Sequence, residues 1–279
     1  MDQVMTAGSN LTAIIPEVWS SRYFDVLLAD LPFNSLVSKD WEGEIKDLGD
    51  IVNISSFPEF DEGDELAEDA AADASAITVS GQQLVINKRV VKDFIITRLA
   101  IAQSLEHMDK LRELAIYAIM KKMEKTIIAT IVPSAAAPDH AIAYTSGTTL
   151  ALADIIAIKR LLDAANVPSG GRCMVAGSNQ TNDIFNITGF TSSDFLVSGS
   201  PLTSGMVSSP LLGFAPKMTT LVGAVTHFFH PSFMTMAAQE GLAVKEYDLG
   251  ADGKRAVRVN IDTLYGLKQL DGLRVATLS

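Results

Sequence analysis

Residues 57–79 read FPEFDEGDELAEDAAADASAITV, and the reading of this stretch decides the fold. Eight carboxylates fall in it (Glu59, Asp61, Glu62, Asp64, Glu65, Glu68, Asp69 and Asp73) without one lysine or arginine. Such a run is too polar to bury and has too little apolar content to fold alone. Strand-like sequence bounds it on both sides. Ile45 to Phe57 contains GDIVNISSF, in which Ile51, Asn53 and Ser55 alternate with Val52 and Ile54. Beyond the run, AITVSGQQLVINKRVVKDFII is rich in Val and Ile and reads as one or two further strands. Strand, long polar tip, strand predicts an extended hairpin that projects from the body and needs a neighbour to rest on.

The acidity is local. Asp47 to Asn87 holds ten acids and no base, a charge of −10 out of −11 for the 279 residues. A uniformly solvating or disordered chain would spread its charge. The balance argues against a nucleic-acid grip, which needs clustered Lys and Arg. It allows a protein that stays close to DNA without sticking to it. A hydrophobic content of 48% supplies a core. Cys173 is the one cysteine, so no intrachain disulfide forms and a reducing compartment is expected. The first twenty residues lack a basic region followed by a long apolar run and make a poor signal peptide. No apolar stretch is long enough to predict a membrane span.

Around the hairpin, the other elements follow in order. Val18, Trp19, Phe24, Leu27 and Leu28 predict a short amphipathic helix opening near Pro16 and broken at Pro32. Residues 106–131, EHMDKLRELAIYAIMKKMEKTIIATI, contain no Gly or Pro and predict the strongest helix. Its apolar face carries Ile116, Ile119, Met120, Met123, Ile127 and Ile131; Lys121, Lys122, Glu124 and Lys125 are read as lying on its other faces. At about 1.5 Å per residue it would span about 40 Å, the length of a strut. A second helix is predicted at 151–165, a buried strand in RCMVAGS, a turn and helix at NQTNDIFN, and a strand within PKMTTLVGAVTHFF. HPSFMTMAAQ reads as a short helical piece. Two strands joined at GADG and a last strand in LRVATL complete the chain. Helices and strands alternate without βαβ regularity, which gives an α+β class.

In its order of elements the chain resembles the major capsid (coat) protein of tailed bacteriophages, the Hong Kong 97 phage type. IPEVWSSRYFDVLLADLPFNSLVSKDWEGEIKDLGDIVNI resembles the arm and first strand of such coats. KDFIITRLAIAQSLEHMDKLRELAIYAI resembles the end of the extended loop leading into the spine helix, and RCMVAGSNQTNDIF and LLGFAPKMTTLV resemble elements of the axial domain. The resemblance implies an N-terminal arm at 1–45, an extended loop at 46–94 with its acidic tip at 59–73, and a peripheral domain at 95–138 and 241–265 with spine helix 106–131. It implies an axial domain at 139–240 and 266–279. It further implies an icosahedral shell of hexamers and pentamers in the virion, enclosing double-stranded DNA held only non-specifically, and assembled in the bacterial cytoplasm with a portal. The short N-terminus implies a separate scaffolding protein; a cement protein is left open. Some relatives crosslink through a lysine in this loop; Asp47 to Asn87 contains no lysine, so that chemistry is not expected from it.

The resemblance also gives the acidic tip a use. Its eight carboxylates would meet basic residues on a neighbouring subunit, with Arg98, Lys110, Arg112, Lys121, Lys122 and Lys125 as candidates, or else remain solvated.

No enzyme chemistry is predicted. The acidic run fails the Ca²⁺-loop pattern, having the wrong order and no glycine at the sixth position. His227 and His230 in THFFHP lack a third metal ligand at a convincing spacing, and Cys173 sits in an apolar strand. Phosphate-binding glycine motifs and G-x-S-x-G are absent. The sequence therefore predicts no catalytic residue, cofactor or metal. Two other readings stay open: a cellular encapsulin-like nanocompartment of the same fold, and an enzyme using Asp61, Asp64 and Glu65.

Overall fold

The computed structural model describes residues 27–42, 51–58, 77–99, 108–187, 210, 212–252 and 255–279. The predicted hairpin is there. Strand β1 (Ile51–Ser56) pairs antiparallel with the first part of β2 (Ser80–Thr97), from Ile51 opposite Val85 to Ser56 opposite Ser80. One continuous strand thus follows the tip. Its second part, Lys88–Thr97, pairs with β8 (Ala256–Gln269), which in turn pairs with β7 (Met234–Asp248). The result is a four-stranded sheet in the order β1-β2-β8-β7.

A long helix, Met108–Thr130, packs along this sheet. It is α2 here; α1 is a four-residue helix at Phe33–Leu36. Ala115 and Ile119 of α2 are buried against Val259 and Ile261 of β8, with Val90 and Phe94 of β2 beside them. Its apolar residues cover more than the single predicted face. Ile127 reaches a second cluster, with Phe33, Val175, Phe229, Phe233 and Tyr265, where the helix meets both sheets. Two residues past the helix, the Val132 backbone N–H and carbonyl both pair with the Gln269 side-chain amide, so its exit is held by the end of β8.

The second sheet has five strands in the order β3-β9-β6-β4-β5: Ala141–Ile142 (β3), Val275–Leu278 (β9), Thr226–Phe229 (β6), Cys173–Ala176 (β4) and Ala215–Met218 (β5). Every residue of β4, β6 and β9 is buried. The reason is that both faces are covered. Met174, Phe228, Ala276 and Leu278 face helix α3 (Leu152–Ala164) through Ile155, Ile158 and Leu162. Cys173, Val175, Phe229 and Val275 face the cluster beneath Phe33. The helix expected at NQTNDIFN is α4 (Ser178–Asp183), extended by a 3-10 turn over Ile184–Asn186.

Three local expectations are corrected. Pro32 does not break a helix: residues 27–31 have no regular structure, and Pro32 opens α1. Its fixed φ suits a helix start, where no N–H is lost. The N-terminal part of that expected helix lies outside the described residues. HPSFMTMAAQ is helical only as a 3-10 turn, Pro231–Phe233; Met234 and Met236 belong to β7, both buried, at the spacing of two that puts strand residues on one face. Glu124 does not lie among the exposed lysines of α2. It is fully buried, for the reason given next.

Candidate functional site

Residues 29–38 form a strap that crosses α2 and touches both sheets. The Ala29 N–H donates to the Tyr117 hydroxyl oxygen at 2.8 Å, and that hydroxyl donates to the Ala29 carbonyl at 2.9 Å. Thr219 Oγ1 donates to the Asp30 carbonyl at 2.8 Å. At the start of α1, Phe33 N–H donates to Glu124 Oε1 and Asn34 N–H to Oε2, each at 2.9 Å. The first N–H groups of a helix have no partner within it, and a carboxylate satisfies them with charge-assisted bonds. This is why a carboxylate is stable in the core. Burial pushes the Glu124 pKa up, and the two N–H donors oppose that rise. Farther along, the Met236 N–H donates to the Ser38 carbonyl at 2.9 Å, so Ser38 extends the edge of β7.

Phe33 is the anchor of the strap. Its ring stacks on Phe229 at a centroid distance of 5.4 Å and stands edge-on to His227 at 5.7 Å. His227 is 4% exposed and neither ring nitrogen has a hydrogen-bond partner. Burial lowers its pKa to about 4, so at neutral pH the ring is uncharged and acts as an aromatic. His230 is turned to other work, with Nδ1 hydrogen-bonded to Ser232 Oγ at 2.7 Å. Among the described residues no group of three His, Cys, Asp or Glu is placed to hold a metal. Cys173 is buried, which raises its thiol pKa.

The acidic tip, Glu59 to Asp73, lies outside the described residues; its root lies within them. At the root a bulge between Ile86 and Lys88 marks where β2 passes from pairing with β1 to pairing with β8. Gly266 of β8 stands at this step. A Cβ there would meet the Val85 carbonyl oxygen at 2.6 Å, so only glycine lets the strands approach.

The six cations proposed from sequence as partners for the tip divide into two groups. Arg98 is paired with Asp248, Lys110 with Glu113 at 3.4 Å, and Arg112 with Asp109 at 2.8 Å and with Glu246. Lys121, Lys122 and Lys125 form no ion pair with a described carboxylate. The other face of the four-stranded sheet is neutralised by its own cross-strand pairs: Arg89 with Asp262 at 2.5 Å, Arg258 with Asp93, and Lys245 with Glu240 at 3.3 Å. Among the described residues no helix is long and apolar enough to cross a membrane.

The class follows from this architecture: a hairpin with a long tip, a helix along the four-stranded sheet, and a five-stranded sheet buried on both faces. It is the fold of tailed-phage capsid proteins. A subunit structure from Mycobacterium phage Che8 is similar with a TM-score of 0.76 at 22% identity, over 95% of this chain and 97% of that one. A capsid structure of cyanophage P-SCSP1u gives 0.77 at 11% identity over 99% and 96%, and the mature capsid of bacteriophage PhiM1 gives 0.72 at 13% identity over 100% and 96%. Curated protein sequences give no match. The family described as phage capsid protein matches residues 100–266, more than half of the chain, and the chain belongs to that family. Its function is that of a major capsid protein, whose copies assemble into the shell of the virion. Of the readings left open by sequence, this selects the phage shell.

Proposed function

We propose that the shell is icosahedral, built of hexamers and pentamers around double-stranded DNA, and that the chain carries out no catalysis. The observation that carries this reading is the match of residues 100–266 to the phage capsid protein family. Residues 1–45 serve as the arm and 46–94 as the extended loop. Residues 95–138 with 241–265 form a peripheral domain, in which α2 is the spine, and 139–240 with 266–279 form the axial domain. Two separate sheets support two such domains, with β7 and β8 of the four-stranded sheet running across the bounds at 240/241 and 265/266. Assembly takes place in the bacterial cytoplasm on a separate scaffolding protein, with a portal through which DNA enters; DNA is held without a specific site. The acidic tip contacts a neighbouring copy. The test is expression with and without the scaffold, followed by light scattering and negative-stain microscopy. Closed particles tens of nanometres across are expected. A stable monomer under every condition would overturn the reading.

A further inference from the structure

We propose that a knot of side chains around Ser232 is an acid-released staple between the two sheets: it fixes their junction while the His230 ring is neutral and loosens when Nδ1 of that ring takes up a proton. The inference does not depend on the shell reading. After β2 the chain passes between the sheets three times. Residues 131–140 lead from α2, on the four-stranded sheet, to β3; 230–233 lead from β6 to β7; and 270–274 lead from β8 to β9. All three crossings meet at one place. The Ser134 N–H donates to the Gly272 carbonyl at 3.0 Å, the His230 N–H to the Arg274 carbonyl at 3.1 Å, and the Leu270 N–H to the Phe233 carbonyl at 2.8 Å. Side chains lock what the backbone brings together. Arg274 Nη1 donates to Ser232 Oγ at 2.7 Å, and its Nε donates to Asp271 Oδ2 at 3.2 Å. Ser232 Oγ stands 2.7 Å from His230 Nδ1, and the Ser232 N–H donates to the same nitrogen at 3.3 Å.

The hydrogen bonds fix the state of the ring. It also bonds to the Gly170 carbonyl, in the loop before β4. A neutral imidazole carries one N–H, so the nitrogen facing that carbonyl is the donor and Nδ1, facing the Ser232 N–H, is the acceptor. Protonation turns Nδ1 into a donor. It then opposes the Ser232 N–H, and it competes with Arg274 for the Ser232 oxygen. The new charge also finds no counter-ion. The charged groups that bear on the ring are Arg274, from the β8–β9 crossing, and Arg172, just before β4. Each is already paired, Arg274 with Asp271 and Arg172 with Asp163 at 2.7 Å. No described carboxylate lies within ion-pair distance of His230 itself. Burial and then the two arginines hold its pKa below the ordinary 6.5. The staple is therefore complete above pH 6.5 and is lost as pH falls through the lower, folded value. Ser232, Asp271 and Arg274 line a cleft of about 470 Å³, so water reaches the knot and the crossings have room to move.

Hydrogen–deuterium exchange of the full-length chain, followed by mass spectrometry from about pH 7 to about pH 4.5 and corrected for the intrinsic pH dependence of exchange, tests the staple. Protection over residues 230–234 and 269–274 should fall by up to about ten-fold for each pH unit below 6.5, the slope that one proton sets, while α3 keeps its protection. H230N retains an acceptor for the Ser232 N–H but does not titrate in this range. Its protection should stay level, and because His227 is intact in it, the titration of His227 cancels in the comparison. Ser232→Ala should lower protection already at neutral pH and shrink the response to acid. A further measurement needs no variant: the ring signal of His230, followed by NMR in the unaltered chain, should titrate below pH 6.5. An equal fall in H230N, no fall in the unaltered chain, or a His230 ring that titrates at 6.5 or above overturns the staple. Whether the chain forms particles has no bearing on these readouts, so the shell reading stands or fails separately.

Discussion

Two buried ionisable side chains meet the strap at Phe33, and they respond to pH in opposite senses. His227 has a folded pKa of about 4 against an ordinary 6.5. Its contribution to stability is complete above pH 6.5 and is lost as pH falls to about 4, a loss of about 3 kcal/mol. Glu124 has a raised folded pKa, so its contribution is greatest at acid pH and declines as pH rises through that raised value. Urea unfolding of the unassembled subunit should show the histidine slope between pH 6.5 and 4, and H227F should flatten it. A slope unchanged in H227F would refute the assignment. At neutral pH, Glu124→Ala strands two N–H donors in the core and should cost about 2–4 kcal/mol; a loss below about 0.5 kcal/mol would show the strap to be held by Phe33 packing instead. Neither residue was legible in the sequence. Glu124 follows Lys121 and Lys122 and precedes Lys125, a context that reads as a solvated face. What draws it inward is a helix start 91 positions away in the chain.

At the scale of elements, period and composition carried the hairpin, α2 and the last three strands, because each has a long regular pattern. Where both faces of a strand are covered the alternation disappears. CMVA and THFF were legible as strands only through their apolar and β-branched content. MTMAA was misread because five residues do not separate a period of two from a short helix. The tip contact rested on the family resemblance, and the sequence could not tell which cations were already occupied at home, since Arg98 meets Asp248 across 150 positions. The hairpin root yields a further prediction. Gly266→Ala must displace the Val85 backbone, which cannot yield as a flexible side chain would. A loss of about 1–3 kcal/mol is expected, with faster amide exchange over residues 80–86 than in the unaltered chain. Unchanged exchange there would mean that the bulge absorbs the methyl group.

For the whole molecule, charge is sorted rather than balanced. Acids without bases occupy 47–87, and Lys121, Lys122 and Lys125 of α2 pair with no described carboxylate. If opposite zones of different copies meet, assembly is weakened by salt. Screening lengths shrink from about 10 Å at 0.1 M to about 3 Å at 1 M, so particle yield should drop over this range at constant subunit stability. A yield that rises with salt would point to apolar contacts as the main attraction. A last consequence lies in strand order. β9 sits between β3 and β6 in the interior of the five-stranded sheet, yet it follows every other described strand of that sheet in the chain. Until Val275–Leu278 emerge, β3 has no partner and one edge of β6 is bare. A nascent chain therefore cannot complete this sheet while its last strand is still in the exit tunnel.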